Sequence, residues 1–168
     1  MKLPFLRKPE REEPMVVSMT GVRLGDRLLF VGSTITFFRP LAARVGLSGQ
    51  TTVVAPDAHA LKERAERDGL LIDAATGIPA DGSYDLAIVE ARSGWANALK
   101  SVAAAVRRGG RLIVIAGEPR GWLDRLRSPD ETSPSDAEIV QHLVAAGWIS
   151  ARSIGAYEEL RFVESFRR

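Results

Sequence analysis

The side chains able to do chemistry gather at four places along the 168 residues. Gly32, Ser33 and Thr34, with Thr36 close behind, follow the apolar run 28–31. A glycine there lets the backbone turn sharply, and the N–H groups opening the next helix favour an anion. Asp57 closes the segment Val53-Val54-Ala55-Pro56, either as a carboxylate acceptor beside a strand end or as a cap of the following helix. Asp73 and Ala74 follow the short apolar stretch 70–72, where an aspartate also suits a plain turn. Glu90, with Ala91 and Arg92 after it, ends the apolar segment 84–89 and reads as a proton acceptor or as a solvated strand-end acid.

The histidines His59 and His142 stand apart, and there is no cysteine. Thiol nucleophiles, disulfides and thiolate zinc sites are therefore excluded, and two lone histidines form no ligand cluster, so no metal is expected. His59 reads as exposed, and His142 falls in a helix expected to pack away from the strand ends. The catalytic residue stays unassigned. The stretch 117–135 is rich in Pro, Gly, Ser and charge and carries Arg120, Trp122, Arg125 and Arg127. It reads as a surface loop pinned by its tryptophan, or as a lid that closes a pocket or holds an anionic substrate.

Positioning these residues requires alternating strands and helices. Strands are predicted at 28–31, 51–54, 70–72, 84–89 and 111–116. Helices are predicted at 37–45, 58–68 and 96–107, with Gly46, Gly69 and the pair Gly109-Gly110 as stops. A further helix over 136–146 is capped by Ser135 and ended by Gly147. Apolar segments 148–154 and 160–166, with few residues between them, are predicted as antiparallel neighbours. Strands without polar alternation imply a sheet covered on both faces, and regular alternation with helices implies parallel order.

Composition narrows the class. The charge sum is 23 − 21 = +2, too small a surplus for a nucleic-acid or membrane field despite a pI near 9.3. The hydrophobic share of 45% suits a folded domain, and no run approaches the roughly 20 apolar residues of a membrane span. The first fifteen residues carry Pro4, Pro9 and Pro14 and lack a signal-peptide core, so an extended tail and a cytoplasmic location are expected. Residues 1–20 are expected to form an N-terminal extension and 21–168 a single domain.

In order along the chain, VRLGDRLLFVGST, LAARVGLSGQTTVVAPD, DGSYDLAIV, AAAVRRGGRLIVI and HLVAAGWISARSIG resemble landmarks of the class I, Rossmann-like S-adenosylmethionine-dependent methyltransferases. The resemblance implies a mostly parallel seven-stranded sheet with an antiparallel last strand and helices on both faces. It implies S-adenosylmethionine (SAM) as cofactor. Gly32, Ser33, Thr34 and Thr36 would form the loop at its methionine part, Asp57 would meet the ribose and Asp73 with Ala74 the adenine. Glu90 would stand at the substrate-facing strand end. The loop is degenerate: the family's acidic position is Phe30, and Thr34 and Thr36 replace two of three glycines. No Asn-Pro-Pro-aromatic signature is present, which argues against base or amide nitrogens as acceptors.

Three functions follow from these residues. The first is a SAM-dependent methyltransferase acting on an unidentified small-molecule or protein acceptor. The second is a non-catalytic binding or assembly protein of the same fold that has lost the cofactor. The third, a nicotinamide reductase, lacks its glycine pattern and a Tyr-x-x-x-Lys pair, Tyr157 being followed four residues on by Arg161. No nucleic acid is indicated, and the final strand and the tail leave a homodimer conceivable.

Overall fold

The computed structural model describes residues 14–117, 133–157 and 159–168. The elements run α1 (Met15–Thr20), β1 (Arg27–Val31), α2 (Ile35–Val45), β2 (Gln50–Val54), α3 (Ala58–Arg67), β3 (Asp73–Ala75) and β4 (Tyr84–Glu90). There follow α4 (Trp95–Ala105), β5 (Val106–Ala116), α5 (Asp136–Ala145), β6 (Ile149–Tyr157) and β7 (Leu160–Phe166). One seven-stranded sheet results, in the order β3-β2-β1-β4-β5-β7-β6. The strands from β1 to β5 pair in parallel, whereas β7 runs antiparallel to both β5 and β6. The expected architecture, with its single antiparallel strand, is the observed one.

Strand parity builds the three layers. Successive side chains of a strand point to opposite faces. Leu28, Phe30, Leu86, Ile88, Ile113 and Ile115 therefore join α1, α2 and α3 in one core. Leu29, Ala87, Val89, Leu112 and Val114 join α4 and α5 in the other. Central strands buried on both faces explain why the sequence shows no polar alternation there.

Helix ends are set by local chemistry. Ser135 and Glu138 form a reciprocal capping box at the start of α5. Gly69 and Gly147, both at positive φ, close α3 and α5 in the same way: the Leu70 N–H reaches the Ala65 carbonyl and the Trp148 N–H the Leu143 carbonyl, each at 2.9–3.0 Å.

Three features differ from the sequence reading. The third strand is residues 73–75, not 70–72, because the Leu70 N–H is already spent closing α3. Gly109 and Gly110 do not end a helix. α4 stops at Ala105, and the pair lies within β5, where the partners Tyr84↔Val106 and Leu86↔Arg111 leave four residues looping against one. A Cβ on Gly110 would lie 2.5 Å from the Val106 Cγ1, so the tight bulge requires glycine. Lastly, a helix over Met15–Thr20, within the expected N-terminal extension, has no counterpart in the sequence reading and places Val16 and Val17 in the core. Arg111 ties this helix down, donating to the Thr20 and Gly21 carbonyls at 3.1 Å and to buried Glu164 at 3.2 Å. Residues 1–13 and the loop residues Arg120, Trp122, Arg125 and Arg127 lie outside the described residues.

At the amino edge of the sheet, Asp85 joins three strands. Its carboxylate accepts from the Arg27 N–H at 2.9 Å and from the Arg107 guanidinium at 2.7 Å. Burial pushes this carboxyl up, but those two bonds and the Arg27 and Arg107 charges outweigh it and hold it below the ordinary carboxylate range.

Candidate functional site

Parallel pairing ends β1, β2 and β4 side by side, with Val31 opposite both Val54 and Val89. At their carboxyl ends opens a cleft of about 250 Å³. β1 contributes Val31, Gly32 and Ser33 to it, β2 contributes Val54, Ala55 and Pro56, and β4 contributes Val89 and Glu90. Residues 92–95 and Ala98, at and before the start of α4, form the remaining wall. Open α/β sheets bind ligands at this edge because helix N-termini converge there and loops leave room between strands.

The chemistry concentrates at Glu90. Because Val31 pairs with Val89, the next residues, Gly32 and Glu90, face one another. Glu90 shares the parity of Leu86 and Ile88, so its side chain turns towards the α2 face. There its Oε1 accepts from the Thr34 N–H at 2.9 Å and its Oε2 from the Thr34 hydroxyl at 3.0 Å. The Arg92 Nε donates to the same Oε2 at 2.9 Å, and its Nη2 donates to the Thr34 hydroxyl at 3.0 Å. The carboxylate is thus charge-paired and hydrogen-bonded although the residue is only 5% exposed, which is how a buried charge is tolerated.

Gly32 completes the arrangement. Its φ is +155°, and a Cβ built on it would lie 2.5 Å from the Glu90 Cδ and 2.7 Å from Cγ. The open face of the glycine is filled, and what fills it is the Glu90 carboxyl group rather than the methyls of Thr34 or Thr36.

The sequence-derived residues separate into two groups. Gly32, Ser33 and Glu90 line the cleft, and Thr34 borders it through Glu90. Thr36 is exposed on α2. Asp57 is exposed at the N-cap position of α3 without a side-chain cap bond, and Ala55 and Pro56 occupy the cleft wall at the end of β2. Asp73 opens β3 instead of following it, and it accepts from the Gln50 side chain at 2.8 Å, facing the first residue of β2. Ala74 sits half-buried in β3 against the α1–α3 core.

Sequence reasoning missed Trp95 and Ala98 as cleft residues. The available signal was Gly94, which at φ +77° forms the N-cap of α4 and sets Trp95 at the strand-end side. His142 is exposed, and its ring meets the Trp95 ring edge-on at 5.4 Å, so α5 supports the cleft wall from behind. His59 is exposed beside Glu63 at 3.6 Å.

No protein-family model matches the sequence, and no curated protein matches it. Solved structures do. A SAM-dependent methyltransferase from Aquifex aeolicus superposes with a TM-score of 0.73 at 17% identity, over 94% of this chain and 90% of that one. The YcgJ protein from Bacillus subtilis gives 0.69 at 12% identity, over 92% and 97%. A SAM-dependent O-methyltransferase from Thermotoga maritima gives 0.67 at 14% identity over 91% of this chain, which spans only 63% of that larger protein. The chain therefore has the class I, Rossmann-like methyltransferase fold.

The cleft suits one part of a SAM molecule and not the other. Val31, Val54, Val89, Trp95 and Ala98 offer apolar surface to a nucleoside. The amide and glycine face at the start of α2, which would take a carboxylate, is held by Glu90. The volume of about 250 Å³ also falls below the roughly 300–1,000 Å³ of common ligand sites. The amino-acid end of SAM does not fit while Glu90 stays where it is.

Proposed function

We propose that the protein is a SAM-dependent methyltransferase acting on an unidentified small-molecule or protein acceptor, with the S-adenosyl group held in the cleft at the carboxyl ends of β1, β2 and β4. The observation that carries this reading is the coincidence of that cleft with the ligand edge of a methyltransferase-type sheet. In this reading Glu90 swings off Gly32 to admit the amino-acid end, Gly32 and Ser33 border the sulfonium, and Trp95 and Ala98 flank the nucleoside. Alignment of an acceptor with the methyl group would supply most of the acceleration, so no general base is assigned.

One observation favours a second reading, a binding or assembly protein of this fold without turnover. Glu90 closes the glycine face, and Asp57 and Asp73, the acids expected to meet ribose and adenine, stand outside the cleft lining. Calorimetric titration of the folded protein with SAM and S-adenosylhomocysteine separates the two. Measurable binding of either ligand, weakened by Trp95→Ala, supports the enzyme reading. No heat at millimolar ligand retires it in favour of the second.

A further inference from the structure

We infer that Glu90 is a specificity residue of the cleft, one that selects against nucleosides carrying a carboxylate on the 5′ side chain and favours nucleoside thioethers that lack it. The inference rests on one part of the reading above, that an adenine nucleoside occupies this cleft, and a strong preference of this kind favours the reading without turnover.

A ligand carboxylate and Glu90 compete for the same groups. A ligand anion at this end of the cleft would draw on the Thr34 N–H at the start of α2 and on the Arg92 guanidinium. Both already hold the Glu90 carboxylate, at 2.9 Å each. Such charge-assisted bonds are among the stronger ones in a protein, so a ligand carboxylate gains only what Glu90 gives up. Space sets the same limit. The Glu90 carboxyl carbon lies 2.5 Å from where a Gly32 Cβ would stand, so the face of the glycine has no room for a second carboxyl group.

Swinging Glu90 aside relieves the crowding but leaves two carboxylates sharing one guanidinium in a half-buried setting, which is repulsive. A thioether ending in a methyl group meets neither obstacle. It lies on the apolar wall and leaves the Glu90, Thr34 and Arg92 contacts intact.

The test is calorimetric titration of the wild-type protein, Glu90→Gln and Glu90→Ala with S-adenosylhomocysteine, 5′-methylthioadenosine and adenosine, each sample first checked for a cooperative thermal transition. The expected result is that wild type binds 5′-methylthioadenosine at least about tenfold more tightly than S-adenosylhomocysteine. Glu90→Ala, which removes both charge and bulk, brings the two ligands within about threefold of each other. Glu90→Gln, which keeps the bulk, falls between.

Wild-type binding of S-adenosylhomocysteine as tight as that of 5′-methylthioadenosine overturns the inference and leaves the cofactor reading intact. A preference that persists unchanged in both variants does the same. Should Glu90→Ala fail to fold, the wild-type ratio and Glu90→Gln decide. Absence of heat from all three nucleosides overturns the cofactor reading itself, and this inference with it.

Discussion

Replacing Gly32 by alanine tests the contact on which the site is built, and it does so without any ligand. The added methyl would stand 2.5 Å from the Glu90 Cδ, 2.7 Å from Cγ and 2.8 Å from Oε1, separations that force Glu90 to move. Its Cγ is close to the main chain of β4, so a rotation of the carboxylate alone does not relieve the clash. Moving the side chain gives up the bonds from the Thr34 N–H and hydroxyl, worth about 1.5–3 kcal/mol each when the acceptor is ionised. A non-glycine residue near φ +155° adds about 1–3 kcal/mol of backbone strain. Part of the lost hydrogen bonding returns from solvent in the open cleft, which leaves an expected loss of about 3–5 kcal/mol for Gly32→Ala.

With Glu90 already truncated, only the backbone strain remains. Gly32→Ala in a Glu90→Ala background should therefore cost about 1–3 kcal/mol, giving a coupling of about 2 kcal/mol between the sites. Urea unfolding of the four proteins of the cycle measures this, provided that the slopes agree. Equal costs of Gly32→Ala in the two backgrounds would refute the packing of Glu90 on Gly32, and with it the steric basis for ligand selection.

Two further predictions concern the sheet itself. Thr51 is buried in β2, and its hydroxyl has no hydrogen-bond partner among the described residues. Thr51→Val keeps the β-branched shape and removes the desolvated hydroxyl, so it should stabilise by about 1 kcal/mol, read as a Tm rise of roughly 2–4 °C. The second is a pH dependence. Asp85 is held below its ordinary range in the folded state, so the unfolded chain binds its proton first as acid is added. Its contribution is present at neutral pH and disappears below about pH 4, as the folded carboxyl titrates. Asp85→Asn should therefore be less stable at pH 7 and lose less stability between about pH 4 and pH 2, measured by urea midpoints at each pH.

Much of the fold was legible along the chain, because the physics that sets a helix or a buried strand acts between residues a few positions apart. The Ser135 capping box, the Gly69 and Gly147 stops and the apolar strands β1, β4 and β5 all express contacts of that range. Their order was enough to indicate the sheet. Errors arose where one local signal has two meanings. A glycine pair can end a helix or permit a bulge, and the register between β4 and β5 made it a bulge. An apolar stretch after a helix can start a strand or complete the helix stop, and the Leu70 N–H went to the helix.

The site depended on longer-range geometry. That Gly32 and Glu90 belong to one place could be suspected from strand ends, but that the carboxylate of one lies on the bare face of the other required the pairing of Val31 with Val89. Residues 58 positions apart meet only once β1 and β4 are in register, and a shift of one residue would send Glu90 to the opposite face. Asp57 and Asp73, which look like strand-end acids in the sequence, fall outside the cleft lining because one stands at the N-cap of α3 and the other opens β3 and is bonded to Gln50. The pattern of residue types determined which elements form and how they alternate. The register of the assembled sheet decided which side chains share a cavity, because side-chain direction in a strand reverses at every residue and is fixed only by the partner strand.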